Sequence, residues 1–280
     1  MLPKPACYGE QYASAFQEQG VAIAYQHRPP YSPEAFAILT DLIVDAPRTM
    51  LDIGCGTGFI ARNMVEHADR VDALDVSQAM IDQGRQLPNG DHARLRWIVG
   101  RAEDAPLNPP YALITAGDSL HWMEWDVVMP RFAHLLAKRG SLAILQVGQL
   151  PLPWDAKLLL LIQKYSIYGQ HYQSIDLAAE LERRGLFHRH SAIQTTPVPF
   201  SQPLDAYIES FHGRASLARV RIGEAAAAAF DSELRNLMSV HGSDQIELQI
   251  VTDIVSGRPL DPAAPTQINR PMADQVHSTS

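Results

Sequence analysis

The chain has 280 residues, 46% of them hydrophobic and 19% charged, which suits a globular interior and is too apolar for a disordered chain. Its 31 acidic residues outnumber 23 basic ones, and this net charge of −8 argues against a protein that wraps nucleic acid. No apolar run approaches the roughly 18 residues of a membrane span. The opening MLPKPACYGE lacks the apolar core of a secretory signal. Cys7 and Cys55 alone can build neither a disulfide framework nor a thiolate metal site. The expectation is a cytoplasmic α/β protein.

Residues 8–24 carry scattered apolar positions and predict a weak helix. The segment 25–31 (YQHRPPY) reads as a proline-stiffened turn. Ser32, Pro33 and Glu34 then have the pattern of a helix start, with a capping hydroxyl, a first-turn proline and an acid at the positive end. That helix should run to about residue 45, where Pro47 stops it. Short apolar runs follow at 49–53, 71–74, 95–99, 112–115 and 141–147. Between them lie amphipathic stretches at 58–67, 78–85 and 124–138, the last closed by Gly140 as a C-cap. Strands alternating with helices imply βαβ units and a mostly parallel sheet. After Gly148 the pattern changes. Pro151, Pro153 and Trp154 open a helix-rich stretch at 155–168, 177–184, 204–212 and 223–239, interrupted by strands at 191–198 and 246–254. The alanine run before Phe230 is the strongest local helix signal. From Pro259 onward apolar periodicity is lost, and a flexible or loosely docked tail is expected.

The informative stretch is Leu51-Asp52-Ile53-Gly54-Cys55-Gly56-Thr57-Gly58, a G-x-G-x-G turn between a strand and a helix. Glycines there let the backbone turn sharply and approach a ligand, although a purely structural turn has the same composition. The next strand ends at Asp75, 17 residues past Gly58, where a carboxylate can accept hydrogen bonds from a ribose diol. The alternative for Asp75 is a helix cap, a role Ser77 already fills. Nicotinamide and flavin fingerprints use G-x-G-x-x-G, a different spacing.

The segment LDIGCGTG resembles motif I of the class I S-adenosylmethionine-dependent methyltransferases, and residues 48–147 resemble their remaining motifs. Asp75 matches the ribose-binding acid. Arg101-Ala102-Glu103-Asp104 matches the segment that meets adenine, with Arg101 standing where many relatives carry an acid. Gly117-Asp118-Ser119-Leu120-His121-Trp122 matches the stretch bordering the methionine moiety and the substrate. The resemblance implies S-adenosyl-L-methionine as cofactor. The residues it implies for binding are Asp52 (at the cofactor's amino group), Gly54, Cys55, Gly56, Gly58, Asp75, Val76, Ala102, Glu103, Gly117 and Asp118. Asn108-Pro109-Pro110-Tyr111 spells the NPPY of DNA adenine methyltransferases. Here, however, it precedes the fourth strand, and a proline turn is the better reading.

The LHW stretch and the Y-x-x-R-P-x-Y-like segment Tyr25–Tyr31 are similar to small-molecule methyltransferases of the trans-aconitate type. That likeness implies a lid over the cofactor carrying Tyr25, Arg28 and Tyr31. It also implies a Rossmann-like doubly wound seven-stranded sheet in the order 3-2-1-4-5-7-6, with residues 246–254 as the reversed strand. A helical substrate cap is inserted after strand 5. The chain then divides into a lid region (1–46), a cofactor-binding core (47–150), a cap with the last strands (151–258) and a tail (259–280). Candidate acceptor contacts are Trp122, Tyr168, His171, Tyr172 and Arg214, and His121 is the candidate general base. The histidines lack metal-ligand spacing. The expected acceptor is a small molecule methylated on a carboxylate or hydroxyl oxygen. N- or C-methylation and a catalytically silent binding protein are the alternatives. No nucleic-acid or membrane partner is expected, and the assembly is a monomer or homodimer.

Overall fold

The computed structural model describes residues 14–169, 175–240 and 244–263. Apolar runs buried on both faces become the central strands, as a sheet covered on two sides requires. These are β1 (Thr49–Ile53), β2 (Arg70–Asp75), β3 (Leu95–Val99) and β4 (Tyr111–Gly117), joined by the longer β5 (Leu136–Gln149). They pair in parallel: Asp52 of β1 lies opposite Ala73 of β2 and Thr115 of β4. Three further strands, β6 (Phe187–Gln194), β7 (Val198–Pro203) and β8 (Gln245–Pro259), complete the sheet. Its order is β3-β2-β1-β4-β5-β8-β6, with β7 also on β8, and β8 runs antiparallel to β5.

The sheet therefore has eight strands where seven were expected, and the cause is local. Both β6 and β7 pair with β8 on the same edge, β6 against residues 253–259 and β7 against residues 245–250. They are one edge strand broken at 195–197, inside the single strand expected at 191–198. At the break, Thr195 N donates to Thr252 O (3.0 Å) and Thr252 N donates to Thr195 Oγ1 (2.9 Å), while Pro197 has no donor to offer.

Successive strand side chains enter opposite faces. Leu51 and Ile53 pack with Trp125, Val128 and Phe132 of α5 and Leu181 of α7, whereas Met50 packs with Leu39 of α2 and Ile60 and Met64 of α3. In chain order the helices are α1 (Gln19–Tyr25), α2 (Pro33–Leu42), α3 (Phe59–Met64), α4 (Gln78–Arg85), α5 (Trp125–Leu135), α6 (Asp155–Tyr165), α7 (Leu177–Arg183), α8 (Leu204–His212), α9 (Arg219–Ile222) and α10 (Glu224–Ser239). The expected cap is not one insert. α6 and α7 precede β6, α8 to α10 lie between β7 and β8, and α7 belongs to the core beneath the sheet. α6, α8 and α10 share a separate core built on Tyr207, Phe211, Phe230 and Leu234, closed by Ile246 and Leu248 of β8.

Several boundaries move. α5 ends at Leu135, not residue 138. Gly140 is no C-cap: it sits inside β5, where a Cβ would lie 2.8 Å from Tyr111 O. α2 ends at Leu42 rather than residue 45. Ser32 makes no side-chain cap bond; its backbone N–H donates instead to Thr252 Oγ1 (2.9 Å). The helices expected at 58–67 and 155–168 shorten to Phe59–Met64 and Asp155–Tyr165. Cys7, His171, Tyr172 and most of the expected tail lie outside the described residues.

Candidate cofactor and active site

A cavity of about 440 Å³ opens at the carboxyl ends of β1, β2, β3 and β4. Its floor is the β1–α3 turn, whose three glycines serve different needs. Gly54 has φ +58°, and a Cβ there would lie 2.6 Å from Ser119 Cβ. Gly58, at φ +71°, leaves room for the Trp97 ring, 2.4 Å from where its Cβ would be. Both positions favour glycine for conformation and for space. Gly56 faces Tyr25, whose ring lies 3.7 Å from its would-be Cβ. Gly54 and Gly56 line the cavity and Gly58 does not.

Asp75 closes β2 and binds the turn. Its Oδ2 accepts from Gly56 N (2.7 Å) and its Oδ1 from Ser77 N (2.8 Å). Burial pushes its carboxyl up, and the N–H groups of Ser77, Gly56 and Val76 oppose that shift. Ser77 caps α4 by accepting from Met80 N (3.1 Å), and its hydroxyl donates to Phe16 O (2.7 Å), which joins the N-terminal segment to the core.

Asp52 is placed differently from its expectation. It is 1% exposed and outside the cavity wall, accepting from Ala61 N (3.1 Å) and Thr115 Oγ1 (2.8 Å). Burial raises its pKa to about 7, against those two hydrogen bonds. The side chain stitches the first turn of α3 to β4.

The third wall follows β3. Ala102 is buried in it, and Glu103 accepts from Glu124 N (3.0 Å) and Arg101 Nε (3.4 Å). Beyond β4, Gly117 and Asp118 reach the cavity. The Asp118 carboxylate lies 3.8 Å from Arg28 and accepts from Val147 N (3.4 Å) and from the Tyr31 hydroxyl. Burial raises its pKa, and Arg28 works against the shift. The Arg28 guanidinium also lies 4.9 Å from the centre of the Tyr25 ring. Arg28 is thus an ion pair and a cavity residue at once. Above it, Phe16 meets Trp122 and Tyr25 edge to face at 5.9 and 6.3 Å.

The cavity therefore gathers Tyr25, Arg28, Gly54, Gly56, Asp75, Val76, Ala102, Glu103, Gly117, Asp118 and Trp122. Asp52, Cys55, Gly58, Tyr31, His121, Tyr168 and Arg214 lie outside its wall. The His121 ring is 4.5 Å from the Trp122 ring, and buried Tyr168 packs on Trp122 and Ile175. The Arg214 guanidinium lies 4.6 Å from the Phe211 ring, and its charge acts on Asp118. Sequence reasoning missed Phe16, Met80 and Met123, which line the cavity, and did not single out Ser119 within the 117–122 stretch. Ser119 and Met123 flank the quoted LHW stretch, but nothing local marks Phe16.

The NPPY segment lies at the far end of β4 from Gly117. Tyr111 Oη donates to Asp72 Oδ2 (2.6 Å) and accepts from Asn108 N (3.0 Å), and the buried Asp72 carboxylate also pairs with the half-exposed Arg96. Among the described residues no group of three or more His, Cys, Asp or Glu side chains could hold a metal ion, and no helix is long and apolar enough to cross a membrane.

Comparison with known proteins shows what the stretch around this site is similar to. The family model described as a methyltransferase domain matches residues 50–140. A malonyl-[acyl-carrier protein] O-methyltransferase of Anoxybacillus flavithermus is 32% identical over 83 residues, 29% of this chain and 31% of that protein. An uncharacterized methyltransferase of Mycobacterium tuberculosis is 33% identical over 124 residues, 43% of this chain and 48% of its own length. The chain thus spans about a third to a half of these relatives. Two solved structures share the fold. One, from Anaeromyxobacter dehalogenans and provisionally described as a type II methyltransferase, has TM-score 0.60 at 24% identity over 82% of this chain and 97% of that one. The other is Haemonchus contortus phospholethanolamine N-methyltransferase 2, solved with S-adenosylhomocysteine, with TM-score 0.50 at 15% identity over 92% and 62%. Residues 50–140, the stretch that matches the methyltransferase-domain model, carry the glycine turn, Asp75 and the strand ends around the cavity.

Proposed function

We propose that the chain transfers a methyl group from S-adenosylmethionine to an oxygen of a small molecule, a carboxylate first and a hydroxyl second. The observation that carries this reading is the pairing of Asp75, which holds Gly56 N and Ser77 N at the end of β2, with a cavity lined by Phe16, Tyr25 and Trp122. The cavity suits the cofactor: Gly54 and Gly56 expose backbone in its wall, and the Asp75 carboxylate retains lone pairs for a diol. When bound, the cofactor supplies an activated methyl group on a sulfonium.

This chain's own residues supply placement. Asp75 accepts the ribose hydroxyls, Ala102 and Glu103 flank the adenine, and Asp118 with Arg28 meets the methionine end. Phe16 and Trp122 exclude water. Alignment of nucleophile, methyl and sulfur provides roughly 7–11 kcal/mol of the barrier in such displacements. A carboxylate acceptor needs no base. A hydroxyl acceptor would use His121, beside cavity-lining Trp122, for about 10²–10⁴-fold. The oxygen preference draws support from the O-methyltransferase among the relatives. The acceptor would lie between the lid and the helices that follow β5, where Arg214 and Tyr168 stand near the rim.

Isothermal titration with S-adenosylhomocysteine tests the cofactor assignment, and absence of binding at millimolar ligand would sink it. A panel of small acids and phenols, assayed across pH with His121→Ala, separates the two oxygens. A carboxylate leaves the turnover profile flat, whereas a hydroxyl loses its histidine limb.

A further inference from the structure

Asp118, the residue after β4, has a left-handed backbone at φ +48°, which among the described non-glycine residues it shares only with Asn89. Aspartate adopts that conformation more readily than most side chains, but it is still disfavoured, so neighbours must hold it there. Its N–H donates to Leu145 O (2.9 Å), and its Oδ2 accepts from Val147 N (3.4 Å). Both ties are to β5, and the residue lines the cavity.

Tyr31 reaches this residue from behind. Its ring packs on Phe59 at the start of α3, with 5.9 Å between centres, beside the core that holds Leu39 and Ile60. Its hydroxyl donates to the Asp118 carboxylate. A Cβ on Gly117 would lie 2.4 Å from Tyr31 Oη and 2.6 Å from Ile60 Cδ1, so the phenol lies directly against the end of β4. Tyr31 itself is outside the cavity wall. The charged and titratable groups facing Asp118 are Tyr25, Arg28 and Tyr31 from the segment before α2, and Arg214 from the loop between α8 and α9.

We propose that Tyr31 is a positioning residue: from outside the cavity its hydroxyl aims the Asp118 carboxylate at a cationic group of the bound ligand. Under the cofactor reading above, on which this inference rests, that group is the ammonium of the methionine end. Burial opposes the ionised form of Asp118, whereas Arg28, Val147 N and the Tyr31 hydroxyl favour it. Loss of the hydroxyl therefore leaves the carboxyl less well aimed and keeps it protonated to higher pH.

The test is titration calorimetry of the full chain with two ligands across acidic to neutral pH. One is S-adenosylhomocysteine; the other is methylthioadenosine, which keeps the nucleoside and thioether but has no amino-acid end. At neutral pH Tyr31→Phe should weaken S-adenosylhomocysteine about tenfold and leave methylthioadenosine unchanged to within about twofold. Asp75 titrates in the binding of both ligands, so the ratio of the two affinities isolates Asp118. In the wild type the preference for S-adenosylhomocysteine should fall as pH drops through the titration of Asp118. In Tyr31→Phe that fall should begin at higher pH, and in Asp118→Asn it should vanish. Adding Tyr31→Phe to Asp118→Asn should then change either affinity by less than about twofold. Equal weakening of both ligands, which a merely structural role predicts, would overturn the proposal. So would a pH dependence unmoved by Tyr31→Phe, or an undiminished tenfold loss in the double variant. If neither ligand binds the wild type, the cofactor reading falls and this inference with it; if both bind and Tyr31→Phe changes nothing, this inference alone falls.

Discussion

On the sheet side of the cavity, Asp75 and Ser119 are tied to strand ends and the glycine turn by hydrogen bonds of 2.7 Å to Gly56 N and Ile53 O. On the lid side, Phe16, Tyr25 and Trp122 meet as rings 5.9 to 6.3 Å apart, and the arm is fastened at Ser77 and Arg221. The sheet side is tied by side-chain-to-backbone hydrogen bonds between strand ends 19 and 66 residues apart in sequence. The lid side is assembled from segments about 200 residues apart in sequence, such as Ser14 and Arg221, by apolar contact and isolated polar ties. In the proposed function the first arrangement meets the cofactor. In the same proposal the second faces the acceptor.

Substitutions on the sheet side should therefore cost fold or cofactor, and the largest effect falls at the turn. Gly54→Val forces a branched side chain to φ +58° and against Ser119, and should cost about 3–5 kcal/mol. At this chain length that is a fall of roughly 10 °C in Tm, read by thermal unfolding. A Tm within 2 °C of wild type would mean that the turn is softer than the sheet beneath it.

Asp52 comes next. Its pKa is about 7 in the fold, against 3.8 for the free side chain, so between those values the folded state binds more protons than the unfolded one. The stability its protonated form contributes is complete below pH 4 and is lost as pH rises through 7, by on the order of a few kcal/mol. Asp75 and Asp118 shift in the same direction, so the difference between wild type and Asp52→Asn isolates this residue. The variant should gain stability relative to wild type as pH climbs from 4 to 8; parallel denaturation curves across that range would refute the shift.

Asp75→Ala should weaken S-adenosylhomocysteine binding by about 10- to 150-fold, the loss of a hydrogen-bonded contact to a charged acceptor worth roughly 1.5–3 kcal/mol. Titration calorimetry reads it, and unchanged affinity would show that the diol is held elsewhere. Tyr111→Phe gives the smallest effect and the sharpest contrast. It removes the hydrogen bond to Asp72 at the opposite end of β4, costing about 1–2 kcal/mol of stability, and should leave cofactor affinity unaltered. A change in affinity would return the NPPY segment to the site.

What could be read from residues alone was whatever is closed over short distances. The strands at 49–53 and 95–99 and the helices at 78–85 and 204–212 occur within the expected bounds. Apolar period and flanking turn residues decide such elements locally, and Ser77 shows its capping role in sequence and structure alike. The glycine turn and Asp75 were legible for the same reason, since a strand, a tight turn and the next strand end fall within about thirty residues. Tertiary structure alone decided the rest. Gly140 looks like a helix terminator, but it is a glycine because Tyr111 O presses on it from a neighbouring strand. The edge strand breaks at Thr195 because Thr252 on β8 bonds both its backbone and its side chain. Asp52 carries the motif's acid, yet Ala61 and Thr115 turn it inward and burial raises its pKa. Phe16 enters the cavity wall because Ser77 holds its carbonyl and Trp122 meets its ring, contacts with partners 61 and 106 residues away. Local propensity depends on a residue's neighbours in sequence, whereas burial and hydrogen-bond pairing depend on its neighbours in space.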